Sequence, residues 1–224
     1  IGIKEILKKV PVVRDERVVC GIYSDITQDI DVHALHSGYL KKMKSFGGEM
    51  HLDSEVVDIR KSSGGLDWIV STISEEYRAP ILINASGAWC DIIAEMAGVG
   101  TIGIQPRRRN VVIVNLPPNM DASNWPMVYG MDPLYYFKPD ADRLIVSPMD
   151  QIPSEPCDAR PEELDIAIAI DRLESMTTLK INRPEHSWAG LRSFVHDEML
   201  VSGFDSNNSG FYWLIGQGGY GIET

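Results

Sequence analysis

The feature that most constrains this chain is a change of texture at Gly100. Before it, helix-like and strand-like segments alternate. After it, short β-rich segments are separated by Pro and Gly. In the first part, Val32, Leu35, Tyr39, Met43 and Phe46 recur at 3-4-4-3 spacing, one helical face that Gly47-Gly48 ends. The runs Glu55 to Arg60 and Leu66 to Ile73 flank a Gly-rich break and predict a hairpin. Pro80 to Asn84 is a short apolar run, as expected of a buried strand. The turn Ala85-Ser86-Gly87 then leads into an apolar helix over Ala88 to Ala97, closed by Gly98.

In the second part, Asn110 to Asn115, Leu134 to Lys138 and Arg143 to Ser147 read as strands. The turn Pro139-Asp140-Ala141-Asp142 joins the last two as an antiparallel hairpin. Pro161 to Met176 is a helix: Pro161 suits its first turn, Glu162 and Glu163 favour its positive end, and Leu164, Ile168, Ile170 and Leu173 supply apolar contact. Ser187 to Ile215 reads as strands between Asp/Asn/Gly turns. The pattern predicts two interleaved subdomains, one layered α/β and one mostly antiparallel.

At 224 residues and 44% hydrophobic, the chain can bury a sizeable core, which excludes disorder and a disulfide-stapled miniprotein. The net charge of -11 repels phosphate backbones, so nucleic acid is not an expected partner. No stretch approaches the roughly 20 apolar residues that span a bilayer. Cys20, Cys90 and Cys157 show neither metal-ligand spacing nor a disulfide framework, which fits a reducing compartment. The chain opens on Ile1 rather than Met and stops just after a Gly-rich turn, and it reads as a piece of a longer protein.

Three stretches point to chemistry. Gly216-Gln217-Gly218-Gly219-Tyr220-Gly221 matches G-x-G-x-x-G after a strand, Phe211 to Ile215. The dinucleotide fingerprint also needs a helix, a second strand and an acid about 20 residues on, so a tight structural turn remains an equal reading of the run alone. Its glycines nonetheless let backbone amides approach something planar or anionic. Ile81 to Trp89 is strand, small-residue turn and helix, where a cofactor can lie against the backbone. Trp188-Ala189-Gly190-Leu191-Arg192-Ser193 puts an arginine at the end of a strand, a residue type that grips carboxylates bidentately.

These stretches, with Asp31-Val32-His33-Ala34-Leu35, Gly-Gly-Glu-Met, Glu-Val-Val-Asp-Ile and Tyr135-Tyr136-Phe137-Lys138-Pro139, occur in the order seen in FAD-dependent amine oxidoreductases. The chain resembles the D-amino acid oxidase, glycine oxidase and sarcosine oxidase superfamily. From Tyr135 onward, it looks most similar to the bacterial D-arginine dehydrogenases.

The resemblance implies a fold of α/β plus α+β type. A partial, Rossmann-like FAD-binding domain (31–99 and 189–224) is interleaved with a mostly antiparallel-sheet substrate domain (1–30 and 100–188). Relatives open with a strand, a G-x-G-x-x-G turn and a helix that cradle the FAD pyrophosphate, and no such unit is found here. The resemblance therefore implies a fragment that is inactive alone.

It also implies roles. Arg192 would grip the substrate carboxylate, with help from Tyr136 and from Arg109 as a second arginine. Gly219 would face flavin and substrate amine. Val57 would pair with the adenine through its backbone. Ala85, Ser86, Gly87, Trp89, Gly190, Gly216, Gly218, Tyr220, Gly221 and Ile222 would line the FAD. Glu223 stands where close relatives carry Gln.

The implied reaction is hydride transfer from Cα of a D-amino acid to FAD, leaving an imino acid that hydrolyses to a 2-oxo acid. A quinone, a carrier or oxygen would then accept the electrons. The implied location is cytoplasmic, with peripheral docking at the inner membrane as an option. A glycine or sarcosine-type oxidase, and a flavin-free folded module, are the alternatives. Basic runs such as Arg107-Arg108-Arg109 are usually solvated. Tyr135 and Tyr136, adjacent on a strand, must face opposite sides.

Overall fold

The computed structural model describes residues 1–223. In chain order its elements are α1 (Ile3–Lys9), α2 (Val32–Ser45), β1 (Val56–Lys61), β2 (Trp68–Thr72), β3 (Glu76–Ala79), β4 (Leu82–Asn84), α3 (Cys90–Met96), β5 (Gln105–Asn115), β6 (Val128–Met131), β7 (Leu134–Asp140), β8 (Arg143–Ser147), β9 (Ile152–Pro153), α4 (Glu163–Met176), β10 (His186–Phe194), β11 (Val201–Phe204) and β12 (Phe211–Ile215). The chain divides into two units, Ile1–Asp25 with Arg107–Leu191, and Ile26–Pro106 with Arg192–Thr224.

The first unit is built on a sheet of order β10-β5-β8-β7-β6, with β9 also on β5. The β5–β8, β7–β8 and β6–β7 pairs are antiparallel. Alternation puts Val112, Val114, Tyr135, Phe137, Leu144 and Val146 on one face, all in the core. Against that face pack Ala169, Leu173 and Met176 of α4.

Two expectations need correction here. Leu164 is 67% exposed, whereas Asp165 is buried. The inward stripe runs through 165, 169, 173 and 176, and an acid occupies its first place because Arg108 and Asn110 meet its carboxylate. The β7–β8 turn is also tighter than expected. Pro139 stays in the strand, and Ala141 takes the left-handed conformation (φ 56°) between Asp140 and Arg143.

The second unit carries two three-stranded sheets. One is the antiparallel β1-β2-β3, in which β3 extends the expected hairpin. The other is β11-β12-β4, where β12 and β4 run parallel. Ile59, Trp68, Cys90, Ala94, Phe211, Trp213 and Ile215 form its core. Asp91, in the first turn of α3, accepts hydrogen bonds from the backbone N–H groups of Ile102, Gly103 and Ile104 (3.0, 3.1 and 2.9 Å), which fixes the following loop.

β4 is not the fully buried strand its composition predicts. It ends its sheet, and Ile81 and Ile83 are about half exposed. Helix α2 forms as read, capped by Asp31 through the Ala34 N–H (2.8 Å), yet none of its residues is buried. Its apolar spacing shapes a helix whose stripe stays open, with Tyr39 and neighbouring Phe46 well exposed.

Candidate functional site

Three stretches of the second unit meet. The first is the turn Ala85-Ser86-Gly87 after β4. Asn84, itself buried, organises it: its Nδ2 donates to the Cys90 carbonyl (2.9 Å), and its Oδ1 accepts from the Ser86 hydroxyl (2.7 Å). Gly87 has φ 58° and opens a short 3-10 turn, Gly87–Trp89, that runs into α3. The second stretch is the end of β10, Arg192-Ser193-Phe194. The third is the loop after β12.

That loop is glycine-rich for specific steric reasons. Gly216 has φ 77°, and a Cβ there would lie 3.1 Å from the Met199 carbonyl oxygen. Gly218 has φ 51°, and its Cβ would come within 2.7 Å of the buried Phe194 ring. The Gly218 N–H donates to the Ser193 carbonyl (2.9 Å), tying the loop to β10. A Cβ on Gly219 would sit 2.5 Å from Nη1 of Arg192. One on Gly221 would strike the Gln217 side chain at 2.6 Å. The Gly87 position is open, with only Ser193 Oγ near, at 4.0 Å from where its Cβ would be.

Arg192 thus lies over Gly219, half-buried, and it makes no hydrogen bond or ion pair with any described residue. Arg17, Arg160 and Arg183 also lack a side-chain partner among the described residues, but they are exposed; half-buried Arg192 differs from them, and from Arg60, Arg78, Arg108, Arg109 and Arg143, which are all paired with carboxylates. A guanidinium drawn partly out of water without a partner is a ready anion site.

The remaining expected residues of this unit fall as follows. Tyr220 donates its hydroxyl to the Glu198 carbonyl and so latches the loop to the β10–β11 turn. In that turn Asp197 accepts from the Met199 N–H (3.0 Å) and acts as a turn residue. Ala85, Trp89 and Ile222 are exposed, while Gly190, open-sided, belongs to the first unit. Val57 is the extra residue of a bulge, because Val56 pairs with Thr72 and Asp58 with Ser71. Val57 is half-exposed and has no register partner on β2.

In the first unit, the arginine run is not solvated. Arg109 is 6% exposed and donates Nε–H to the Asp150 carbonyl (2.5 Å). Arg108 bridges Glu162 (2.5 Å) and buried Asp165 (2.9 Å). Asn110, fully buried, donates to the carboxylates of Asp150 and Asp165. These acids, distant in sequence, convert a basic run into a buried polar network. Tyr135 is core, and burial pushes its hydroxyl up to about 12. Tyr136 faces the other way, half-exposed against Tyr129 (5.7 Å between ring centres). Burial, then adjacent Asp91, pushes the Cys90 thiol up to about 12, so it stays neutral. Among the described residues no cluster of His, Cys, Asp or Glu could hold a metal, and no helix is long and apolar enough to cross a membrane.

Sequence reasoning passed over Ser193. Its neighbour Arg192 drew attention to the motif, and nothing in the residue pattern marks a serine as lacking a partner. The network of Asn110, Asp150 and Asp165 was equally hidden, since its members are 15 to 55 positions apart.

The glycine-rich loop and the arginine that lacks a partner among the described residues leave one open face on the second unit. The family model described as FAD dependent oxidoreductase (DAO) matches residues 1–224, and the chain belongs to that family. It is 23% identical over 171 residues to FAD-dependent oxidoreductase domain-containing protein 1 of Xenopus laevis, covering 67% of this chain and 33% of that protein.

Among solved structures, it resembles L-α-glycerophosphate oxidase from Mycoplasma pneumoniae with FAD bound (TM-score 0.85, 20% identity, 99% of this chain, 59% of that one). It also resembles L-proline dehydrogenase from P. horikoshii (TM-score 0.83, 20% identity, 99% and 59%). Glycine oxidase from Geobacillus kaustophilus is similar too (TM-score 0.82, 21% identity, 98% and 57%). At these identities the likeness is one of fold. The chain spans a third of the curated relative and about three-fifths of these structures.

The residues present fit the group for which the family is named. Where Gly87 lacks a Cβ the backbone lies open, and the Arg192 and Ser193 side chains lack partners among the described residues.

Proposed function

We propose that the intact protein is an FAD-dependent oxidoreductase that oxidises the Cα–N bond of a small amino acid, with a D-amino acid as the reading favoured by the D-arginine dehydrogenase-like motifs. The observation that carries this is Arg192, half-buried, without a partner among the described residues, and packed over Gly219. When bound, FAD supplies the acceptor for the substrate hydride.

The chain's own work is binding and orientation. The guanidinium pins the substrate carboxylate through two parallel hydrogen bonds, which fixes the direction in which Cα points. The Gly216–Gly221 loop, tied to β10 through Gly218 and latched through Tyr220, holds that arginine's platform still. In this reading the second unit is the FAD-binding part, where Val57, Ala85, Ser86, Gly87, Trp89, Gly216, Gly218, Gly219, Tyr220, Gly221 and Ile222 contribute, whereas Gly190 falls in the first unit. The first unit is the substrate part. There Tyr136 keeps a half-exposed ring for ligand contact, while Arg109, tied to Asp150, is the weaker candidate.

Proline and glycine, named for two fold neighbours, carry a carboxylate, and glycerophosphate carries a phosphate. An arginine serves either anion, so substrate profiling must include all three classes. A quinone, protein carrier or oxygen completes the cycle, and the proposed location is cytoplasmic.

The test uses the full-length protein. It should purify with a flavin absorbance spectrum and oxidise an amino acid. Arg192→Ala should lower kcat/KM by about 2–4 kcal/mol, the scale for losing one side of a charge-assisted pair. Unchanged kinetics in that variant would sink the assignment. A glycerophosphate substrate would redirect it to the phosphate branch.

A further inference from the structure

We infer that the Ser193 hydroxyl is a cofactor-contacting group that hydrogen-bonds a polar edge of the flavin ring. The inference rests on the flavoprotein reading above and adds a residue to it.

Three serines of the described chain are buried: Ser62, Ser147 and Ser193. Ser62 Oγ accepts the Asp67 N–H (3.2 Å). Ser147 Oγ donates to the Asn110 carbonyl (2.7 Å) and accepts from the Met149 N–H (3.2 Å). Ser193, at 7% exposure, has no partner for its hydroxyl among the described residues, and its Oγ is not one of the enclosed unpartnered atoms there, so it still reaches solvent. A hydroxyl that is open to solvent and spends neither donor nor acceptor on the protein is free to bond a ligand.

Its surroundings say what that hydroxyl can reach. The backbone of Ser193 is fixed, since it lies in β10 and its carbonyl accepts the Gly218 N–H (2.9 Å). The next residue, Phe194, is buried and packs on the Cα of Gly218. The Oγ therefore points from a rigid base. Toward Gly87 it meets open space: Oγ is the one atom near the missing Cβ there, 4.0 Å away. Ser86, beside Gly87, is already satisfied by Asn84. Ser193 thus supplies a free donor and acceptor between two glycine-bearing loops, one residue from Arg192. The flavin ring is flat and edged with carbonyls and ring nitrogens, which a fixed hydroxyl in such a gap can bond.

The experiment compares Ser193→Ala and Ser193→Thr with wild type in the full-length protein. It measures thermal stability of the flavin-free form, FAD affinity by fluorescence titration, and the flavin midpoint potential by dye-coupled reduction. Removing an unpartnered hydroxyl leaves the flavin-free form of Ser193→Ala as stable as wild type or more so. FAD affinity falls about tenfold, or the oxidised and reduced forms are affected unequally. A tenfold inequality moves the two-electron potential by about 30 mV. Ser193→Thr, which keeps the hydroxyl, restores both.

Wild-type affinity and potential in Ser193→Ala overturn the inference. So does a loss of flavin-free stability that accompanies the affinity loss, because the hydroxyl is then a structural bond. A wild type that binds no FAD fails earlier, and it overturns the flavoprotein reading together with this one.

Discussion

Gly219→Ala separates a functional glycine from a structural one. The added Cβ would stand 2.5 Å from Nη1 of Arg192 and 2.9 Å from its Cζ. Ordinary van der Waals contact begins near 3.4 Å, so the guanidinium must retreat by about 1 Å, and a displacement of that size at a positioning group can cost about a hundredfold in rate. That corresponds to about 2.7 kcal/mol in kcat/KM.

The same change should barely touch stability. Gly219 is exposed, its φ is not in the left-handed region, and the clashing atoms are the mobile end of a flexible side chain. Gly218→Ala is the control with opposite character. Its φ of 51° strains an alanine, and the atoms 2.7 and 3.1 Å away belong to the buried Phe194 ring, which cannot swing clear. It should cost about 1–3 kcal/mol of stability. The assay pairs steady-state kinetics on the full-length protein with chemical denaturation. An unchanged KM and kcat in Gly219→Ala would refute the arginine platform. So would a stability loss in Gly219→Ala equal to that in Gly218→Ala.

Two further outcomes concern the first unit. In Gly130→Ala, a Cβ would overlap the Tyr135 ring at 1.8 Å, and that ring is 2% exposed, so urea denaturation should show a loss at the upper end of about 1–3 kcal/mol. The Ile181 N–H, then Lys180 and Arg14, hold the Glu174 carboxyl below its usual range. A lowered folded pKa stabilises above the unfolded value and is lost as pH falls through the folded one. Glu174→Gln should therefore be less stable than wild type at pH 7 and converge with it as the pH falls through the lowered folded-state value, below the usual carboxylate range. A gap that persists at low pH would assign the effect to packing instead.

Much of the architecture was legible because it rests on local rules. Short β-rich runs between Pro and Gly marked β5, β7 and β8, the 3-4-4-3 apolar spacing marked α2, and small residues marked the turns around Gly87 and Gly216. Burial was less legible. The Val32–Phe46 stripe satisfies helical spacing, yet no residue of α2 is buried, since spacing reports which residues share a face and not whether anything covers it. Ile81 and Ile83 failed in the same way, because a continuous apolar run does not tell an edge strand from a central one. Leu164 and Asp165 exchanged their expected places through a partner, Arg108, more than fifty positions earlier.

The arginines show where sequence reading ends and geometry begins. Arg107-Arg108-Arg109 has the higher charge density, and a basic run ordinarily reads as a solvated face. Distant acids consume it: Glu162 and Asp165 for Arg108, Asp150 for Arg109. Arg192 stands alone in sequence and also stands alone in the fold, with a glycine rather than a carboxylate beneath it. Pairing spends an arginine's donors on structure, and the lack of pairing leaves them for a ligand. Only the folded chain distinguishes the two, because a pairing acid can come from any part of it. The same holds for Ser193 against Ser62 and Ser147: all three residues are buried, and the fold brings a partner to the hydroxyl in two of them but none, among the described residues, in the third.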